Sequence, residues 1–174
     1  MVSFIVGLIV AFPFVFWQIW SFISPGLSDK EKSNARGVVF FVSILFFSGV
    51  LFGYYLIAPL SVQFLGNYKV SEAVVNQIQL GSFINTIATI TLSTGLVFQL
   101  PIVVYFLSKL GLVTPQLLRK FRKHALVGVL ILSAIITPPD VTSQILVSIP
   151  LLVLYEISIL VSARIWKKQQ KEMA

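Results

Sequence analysis

The chain has 174 residues, of which 57% are apolar and only 11% are charged, with a formal net charge of +7 and a mean hydropathy of +0.94. A soluble domain carries roughly 25% charged residues, so this composition excludes an ordinary soluble protein and predicts an integral membrane protein. The absence of cysteine excludes disulfides, thiol chemistry and cysteine-based metal sites, and the single histidine, His124, cannot build a metal site alone.

Five uncharged runs follow one another along the chain and predict membrane helices. They are Val2–Ile23, Val38–Gly66, Leu80–Ser108, Ala125–Thr137 and Val141–Ala163. A helix needs about 20 residues to cross a hydrocarbon core of roughly 30 Å, and four of the runs reach that length. The fourth run has 13 residues, or about 20 Å of helix. We therefore expect it to be tilted, to lie where the bilayer is thin, or to stop partway.

These lengths predict an all-α fold in which residues 1–174 form a single domain. The domain is a polytopic membrane helix bundle of about five transmembrane helices. The turn at Pro138 and Pro139 joins the short fourth helix to the fifth as a helical hairpin. Pro59 is expected to kink the second helix, because proline lacks the backbone donor that a helix interior requires.

Polar residues inside apolar runs should face a bundle interior or a cavity, because lipid offers them no partner. Tyr54 lies in the middle of the second run. Gln99 lies in the third run, two positions before Pro101, whose missing N–H leaves a carbonyl without a partner. Either Gln99 or a nearby hydroxyl satisfies that carbonyl, or Gln99 is a polar point on a concave face where a helix or peptide docks. The sequence alone leaves both interpretations open.

A second group of polar residues surrounds the proline turn. Asp140 is predicted to cap the last helix by accepting hydrogen bonds from its first amides. Thr137 and Gln144 lie beside it, and a cap alone does not require all three residues. Glu156 lies eight residues before Arg164, about 12 Å along a helix, and is predicted to form an ion pair or to reach the membrane interface.

The basic residues are distributed unevenly between the two sides of the predicted bundle. Twelve of the 13 lysines and arginines follow the first, third or fifth helix, and Lys69 alone lies on the other side. The positive-inside rule therefore predicts that the basic loops and the C-terminus are cytoplasmic. With five spans this orientation puts Met1 on the outer face, so we expect an earlier helix to precede this chain in the complete protein.

No arrangement of residues indicates catalysis: there is no Ser/His/Asp set, no HExxH, no P-loop and no pair of carboxylates on one helix. An enzyme is therefore not predicted. A small permease or ion-coupled transporter is one alternative, although such proteins use internal repeats and intramembrane acids, for which Glu156 is the one candidate. A structural scaffold subunit, in which every polar residue is a cap or a packing contact, is the other alternative.

Several ordered segments resemble the TatC family, the polytopic receptors of twin-arginine protein translocation. The stretch FPFVFWQIWSFISPGLSDKEK at 12–32 resembles the first cytoplasmic loop region of that family, and LFGYYLIAPLSVQFL at 51–65 resembles its next helix. The segments ITPPDVTSQ at 136–144 and YEISI at 155–159 are specific to it. The resemblance covers essentially the whole chain and implies a concave bundle with both ends cytoplasmic. It also implies that the family's first helix would lie upstream of this chain.

The resemblance implies a function in the export of folded proteins across the prokaryotic cytoplasmic membrane. By resemblance, Glu31 binds the guanidinium groups of twin-arginine signal peptides, for which a carboxylate offers bidentate geometry. Phe22, Pro25 and Leu27 would shape the adjoining surface. No cofactor is implied, and the proton-motive force would drive the whole assembly.

The resemblance also assigns roles to the buried polar residues. Gln99 matches a position that is glutamate in many relatives and faces a concave pocket, and Tyr54 matches a residue near that pocket. Thr137 and Gln144, together with Asp140, match a polar cluster where single-span partner subunits of the TatA and TatB type dock. Membrane lipid and further copies of the same subunit are the other partners that the family implies.

Overall fold

The computed structural model describes residues 2–23, 35–67, 80–137 and 141–173, and the regular structure in these ranges is helical. In chain order the elements are α1 (Val2–Ile23), α2 (Ala35–Phe52), a π-helical segment (Gly53–Ile57), α3 (Ala58–Asn67), α4 (Leu80–Val97), α5 (Leu100–Lys109), α6 (Pro115–Lys120), α7 (Arg122–Ile136) and α8 (Val141–Met173).

Within the described ranges four stretches are long and apolar enough to cross a membrane. They are Val2–Phe22, Gly37–Phe64, Leu80–Lys109 and Val141–Gln170. The helix α7 adds 15 residues, or about 22 Å, which is shorter than a hydrocarbon core. The predicted all-α membrane bundle with one short helix is therefore confirmed.

The second span changes its helical pitch immediately before Pro59. In the π-helical segment the N–H of Ala58 donates to the carbonyl of Gly53, five residues back. A proline ring clashes with the carbonyl four residues before it, which here belongs to Tyr55. Widening the helix by one residue over this turn accommodates the ring, and α3 then continues the span.

The third span is interrupted just before Pro101. α4 ends at Val97 and α5 begins at Leu100, with Phe98 and Gln99 in a turn between them. Pro101 has no N–H for the carbonyl of Val97, so the regular hydrogen-bond ladder cannot pass this point. The N–H of Gln99 donates instead to Leu96, three residues back, at 3.0 Å. Pro101 therefore divides the third span into α4 and α5.

Glycines allow α2 and the π-helical segment to approach α4 closely. A Cβ added at Gly49 would lie 2.7 Å from the Phe98 ring and 3.0 Å from the Cα of Gly95. A Cβ added at Gly53 would lie 3.1 Å from the Cα of Thr91. This contact brings the interrupted third span against the second, and so positions Gln99 beside α2.

Two clusters of buried apolar side chains hold the bundle together. The first joins α1, α2 and α5 and contains Phe16, Trp20, Val39, Val42 and Ile102. The second joins the π-helical segment to α4, α7 and α8 and contains Ile57, Ile90, Phe98, Val129, Val147, Leu151 and Leu154. Many other large apolar side chains are exposed, such as Phe14 and Ile135, as expected for surfaces in contact with lipid.

Candidate functional site

The predicted arginine-binding residues lie at the end of α1 and in the segment that follows it. Phe22 is in the last turn of α1 and is 88% exposed, so its ring is available to a ligand. Pro25, Leu27 and Glu31 lie outside the described residues.

Gln99 occupies the interruption between α4 and α5 and faces α2. Its Nε2 donates to the carbonyl oxygen of Val42 at 3.4 Å, a long hydrogen bond between residues that are 57 positions apart. Its Oε1 is buried and accepts no hydrogen bond from any described residue. Gln99 thus donates to Val42 and not to the carbonyl of Val97, which Pro101 leaves unpaired. The Oε1 of Gln99 is available to accept a hydrogen bond.

Tyr54 lies on the π-helical segment and is 52% exposed. Its ring packs edge-to-face against Tyr55, with 5.1 Å between the ring centroids. π-Helical turns inside α-helices are frequent at functional sites. The structure records no contact between Tyr54 and Gln99, so their shared pocket stays a prediction.

Thr137 and Gln144 belong to one hydrogen-bond network between α7 and α8. The hydroxyl of Thr137 donates to the carbonyl of Ser133 at 2.8 Å, and the Nε2 of Gln144 donates to the carbonyl of Leu130 at 3.1 Å. The hydroxyls of Ser133 and Ser148 lie 3.0 Å apart between them, and Ser148 also bonds to the carbonyl of Gln144. The structure thus brings together two of the three predicted docking residues. Asp140 lies outside the described residues.

Charged and polar contacts join α8 to α6 and α7 at the basic end of the bundle. Arg122 and Glu156 form an ion pair of 2.8 Å, in which each side chain is about half exposed. The Tyr155 hydroxyl donates to the carbonyl of Leu118 at 2.8 Å. The predicted ion pair of Glu156 is therefore confirmed, and its partner is supplied by α7.

At the same end of the bundle, α8 is also hydrogen-bonded to α5. The hydroxyl of Ser108 donates to that of Ser162 at 2.8 Å, and both serines are buried. The Nε2 of Gln169 donates to the carbonyl of Lys109 at 3.1 Å. These bonds hold α5 and α8 side by side up to the point where α5 ends.

Two apolar cavities, each of about 510 Å³, open on either side of the Gln99 interruption. The first, which we call the basic-end groove, lies between α2, α5 and α8. Its walls include Gly37, Phe41, Tyr105, Val161 and Arg164. The second, the midspan cavity, lies between the second span, the interruption and α8. Its walls include Phe52, Leu56, Phe98, Pro150 and Leu154. Phe98 lines one cavity and Pro101 the other, whereas Gln99 itself lines neither.

Sequence reasoning missed the serine hydroxyls that join helices, chiefly Ser133 and Ser148 on the hairpin, and it missed Arg122 as the partner of Glu156. The available signal was that these serines interrupt runs of branched apolar residues. In the described part of the chain, no group of three or more His, Asp or Glu side chains is close enough to hold a metal ion.

Comparison with known proteins matches residues 1–150 to the family model TatC, described as Sec-independent protein translocase protein. TatC of Blattabacterium sp. subsp. Periplaneta americana is 42% identical over 166 residues, which is 95% of this chain and 62% of that protein. TatCy of Bacillus subtilis (strain 168) is 38% identical over 172 residues, or 99% of this chain and 68% of that protein. The chain therefore spans somewhat under two thirds of the Blattabacterium protein and slightly more than two thirds of TatCy.

Solved structures agree with the sequence comparisons. A crystal structure described as the twin arginine translocase receptor TatC superposes with a TM-score of 0.74 at 37% identity, covering 92% of this chain and 70% of that one. A second structure of that receptor, in the detergent DDM, gives a TM-score of 0.76 at 37% identity, covering 91% and 71%.

Proposed function

The chain belongs to the TatC family of Sec-independent protein translocase proteins, and from this premise we propose that it is a signal-peptide receptor and core component of the twin-arginine translocase. The observation that carries the proposal is the match, over 92% of this chain, to a structure described as the twin arginine translocase receptor. The family consists of transport proteins, and the proposed action is binding and recruitment without covalent chemistry.

The arginine-binding residue in this proposal is Glu31. It follows an aromatic helix end at which the ring of Phe22 is 88% exposed. An ionised carboxylate accepts two parallel hydrogen bonds from a guanidinium, whereas it can form only point contacts with a lysine ammonium. Pro25 and Leu27 would contribute apolar surface for the residues beside the arginine pair.

A second part of the proposal concerns the hairpin of α7 and α8. The Thr137–Gln144 network lies between exposed apolar side chains, of which Ile135 is 75% and Val141 is 70% exposed. A transmembrane helix of a single-span partner could pack on these apolar side chains and exchange hydrogen bonds with the hydroxyls and amide behind them, since polar groups strengthen helix association in lipid. We propose that TatA- or TatB-type partners dock here and that Asp140 contributes a carboxylate to the docking site.

Gln99 and Tyr54 complete the proposal on the concave side of the bundle. The unpaired Oε1 of Gln99 supports a role as hydrogen-bond acceptor for a bound peptide, because a buried acceptor without a donor costs about 1–3 kcal/mol. Tyr54, which is half exposed, would contribute ring surface and a hydroxyl.

The first experiment is site-specific photocrosslinking from position 28, three residues before Glu31, to a twin-arginine signal peptide, with a twin-lysine peptide as control. It is run on the chain as it stands and on the chain extended by the N-terminal part of a relative. We expect arginine-dependent crosslinks, lost in Glu31→Gln and kept in Asp29→Asn, which removes a neighbouring charge from the same loop. Crosslinks of equal strength to both peptides, or none in either protein, would exclude Glu31 from the site.

The docking proposal is tested in the same series with the photoreactive residue at position 135. We expect capture of a single-span partner that is weakened by Gln144→Leu and unaffected by Gly7→Leu on the exposed outer part of α1. Equal capture by the two variants would indicate that the hairpin network stabilises the fold and does not contact the partner.

A further inference from the structure

The proposed receptor function assigns no ligand to the basic-end groove. It is a cavity of about 510 Å³ between α2, α5 and α8, and its walls are mostly apolar. On α8 the wall runs from Ile157 through Val161 to Arg164. Seven residues of helix extend about 10 Å, so the groove is apolar for nearly two turns and then ends at a guanidinium.

The groove carries positive charge at its mouth, and its described wall residues carry no negative charge. Arg164 is exposed, and its side chain forms no ion pair or hydrogen bond with another described residue. The ammonium of Lys109 lies 5.1 Å from the centroid of the Tyr105 ring, which lines the groove. Among the described residues that line the groove, none is an aspartate or a glutamate. The complementary ligand has a narrow apolar body and an anionic head.

The size and chemistry of the groove distinguish a lipid from a peptide. A helix about 10 Å across occupies more than about 1,000 Å³ over ten residues, roughly twice the volume of the groove. An extended peptide would bring backbone N–H and C=O groups against apolar walls that cannot satisfy them. An acyl chain carries no polar group along its length and matches such walls.

We propose that the basic-end groove binds one anionic phospholipid. An acyl chain lies against Phe41, Ile102 and Val161, and the headgroup phosphate lies between Arg164 and the ammonium of Lys109. Basic pockets between membrane helices on the cytoplasmic side are suited to anionic headgroups, and this leaflet is the negatively charged one. The lipid site requires the orientation with the basic end in the cytoplasm but does not require recognition of arginine by Glu31.

The chain provides matched variants for testing the site. Arg164→Gln removes the charge and keeps most of the side-chain length. Gly37→Leu fills the groove from α2, where an added Cβ meets no atom within 4 Å. The controls are Arg119→Gln, which removes an exposed charge from α6 at the same end, and Gly7→Leu, which enlarges an unobstructed helical glycine on α1.

The measurement is native mass spectrometry of the purified chain titrated with phosphatidylglycerol or with phosphatidylcholine of identical acyl chains. We expect one phosphatidylglycerol to be retained at least five-fold more strongly than phosphatidylcholine. Arg164→Gln should lower its affinity about five-fold, as for one basic residue at a membrane surface. Gly37→Leu should lower the occupancy of both lipids, and the two controls should leave both unchanged.

Equal retention of the two lipids, or an equal loss in Arg164→Gln and Arg119→Gln, would overturn the proposal. A photoreactive residue at position 161 gives a second measurement that does not depend on either variant folding. Crosslinks from native membranes to phospholipid would support the lipid site. Crosslinks to a twin-arginine signal peptide in place of lipid would overturn it, and would assign the groove to the peptide instead.

Discussion

The side chain at residue 99 is an amide, and a carboxylate at this position would form different hydrogen bonds. The Nε2 of Gln99 donates to the carbonyl of Val42, and an ionised glutamate could not make this bond because it has no donor. Position 99 therefore carries a polar group without a negative charge. In this chain the amide links α2 to the interruption between α4 and α5.

Because of this difference, we expect two substitutions of Gln99 to have different effects on the stability of the fold. Gln99→Glu should destabilise the folded chain by about 1–3 kcal/mol, because it leaves a partly buried charge and removes the donor to Val42. Gln99→Leu, which removes the unpaired Oε1 as well as the long hydrogen bond, should remain within about 1 kcal/mol of the parent. Thermal unfolding in detergent at neutral pH measures both. A Gln99→Glu variant as stable as the parent would mean that the site is wet or open.

At the level of elements, the contact between α2 and α4 depends on the absence of side chains. Gly49 and Gly95 face each other so closely that a Cβ on either would lie within 3.0 Å of atoms on the other helix. In lipid such small residues permit close van der Waals packing between helices, which drives their association. The same packing brings the carbonyl of Val42 within reach of Gln99.

Gly49→Ala should therefore destabilise the fold even though alanine is the better helix former. The gain in helix propensity is about 0.5–1 kcal/mol, whereas overpacking a close contact costs about 1–3 kcal/mol. Gly128→Ala is the matched control, since a Cβ at Gly128 of α7 meets no atom within 4 Å. Only the gain in helix propensity then remains. We expect the unfolding temperature in detergent to fall for Gly49→Ala and to stay level or rise for Gly128→Ala. The same change in both variants would refute the role of the close contact.

Over the whole molecule, the basic residues define one end and so predict how the chain lies in the membrane. α8 runs for 33 residues, or about 50 Å, and its last turns carry Lys167 and Lys168 well beyond the apolar part. The short α7 meets the same end through Arg122. A 15-residue helix beside longer ones favours local thinning of the bilayer at the hairpin.

The orientation can be measured directly because the chain contains no cysteine. We expect Gly81→Cys, at the start of α4, to react with a membrane-impermeant maleimide added to intact cells. Lys120→Cys, at the end of α6, should react only after permeabilisation, since twelve of the 13 basic residues lie on its side. The reverse pattern would invert the topology and place the proposed peptide and lipid sites outside the cell.

The sequence by itself determined the class of fold and the approximate bounds of the spans. Hydropathy and helix length are local properties of an isolated segment in lipid, so the runs at 2–23, 38–66, 80–108 and 141–163 correspond to the four helical stretches that are long and apolar enough to cross a membrane, the last of which extends to Gln170. The position of the short hairpin helix was predictable for the same reason. The motifs around 12–32 and 136–144 were sufficient to indicate the family.

Only the tertiary structure decided which polar groups meet. The Gln99–Val42 bond joins residues 57 positions apart, and the Arg122–Glu156 pair joins residues 34 positions apart. Such contacts depend on the angle and depth at which helices cross, and these are set by small residues and by interruptions of the hydrogen-bond ladder. Pro101 and Gly49 were visible in the sequence, but their effect on a neighbouring helix is not a local property. That is why the candidate residues were predictable one by one and their partners were not.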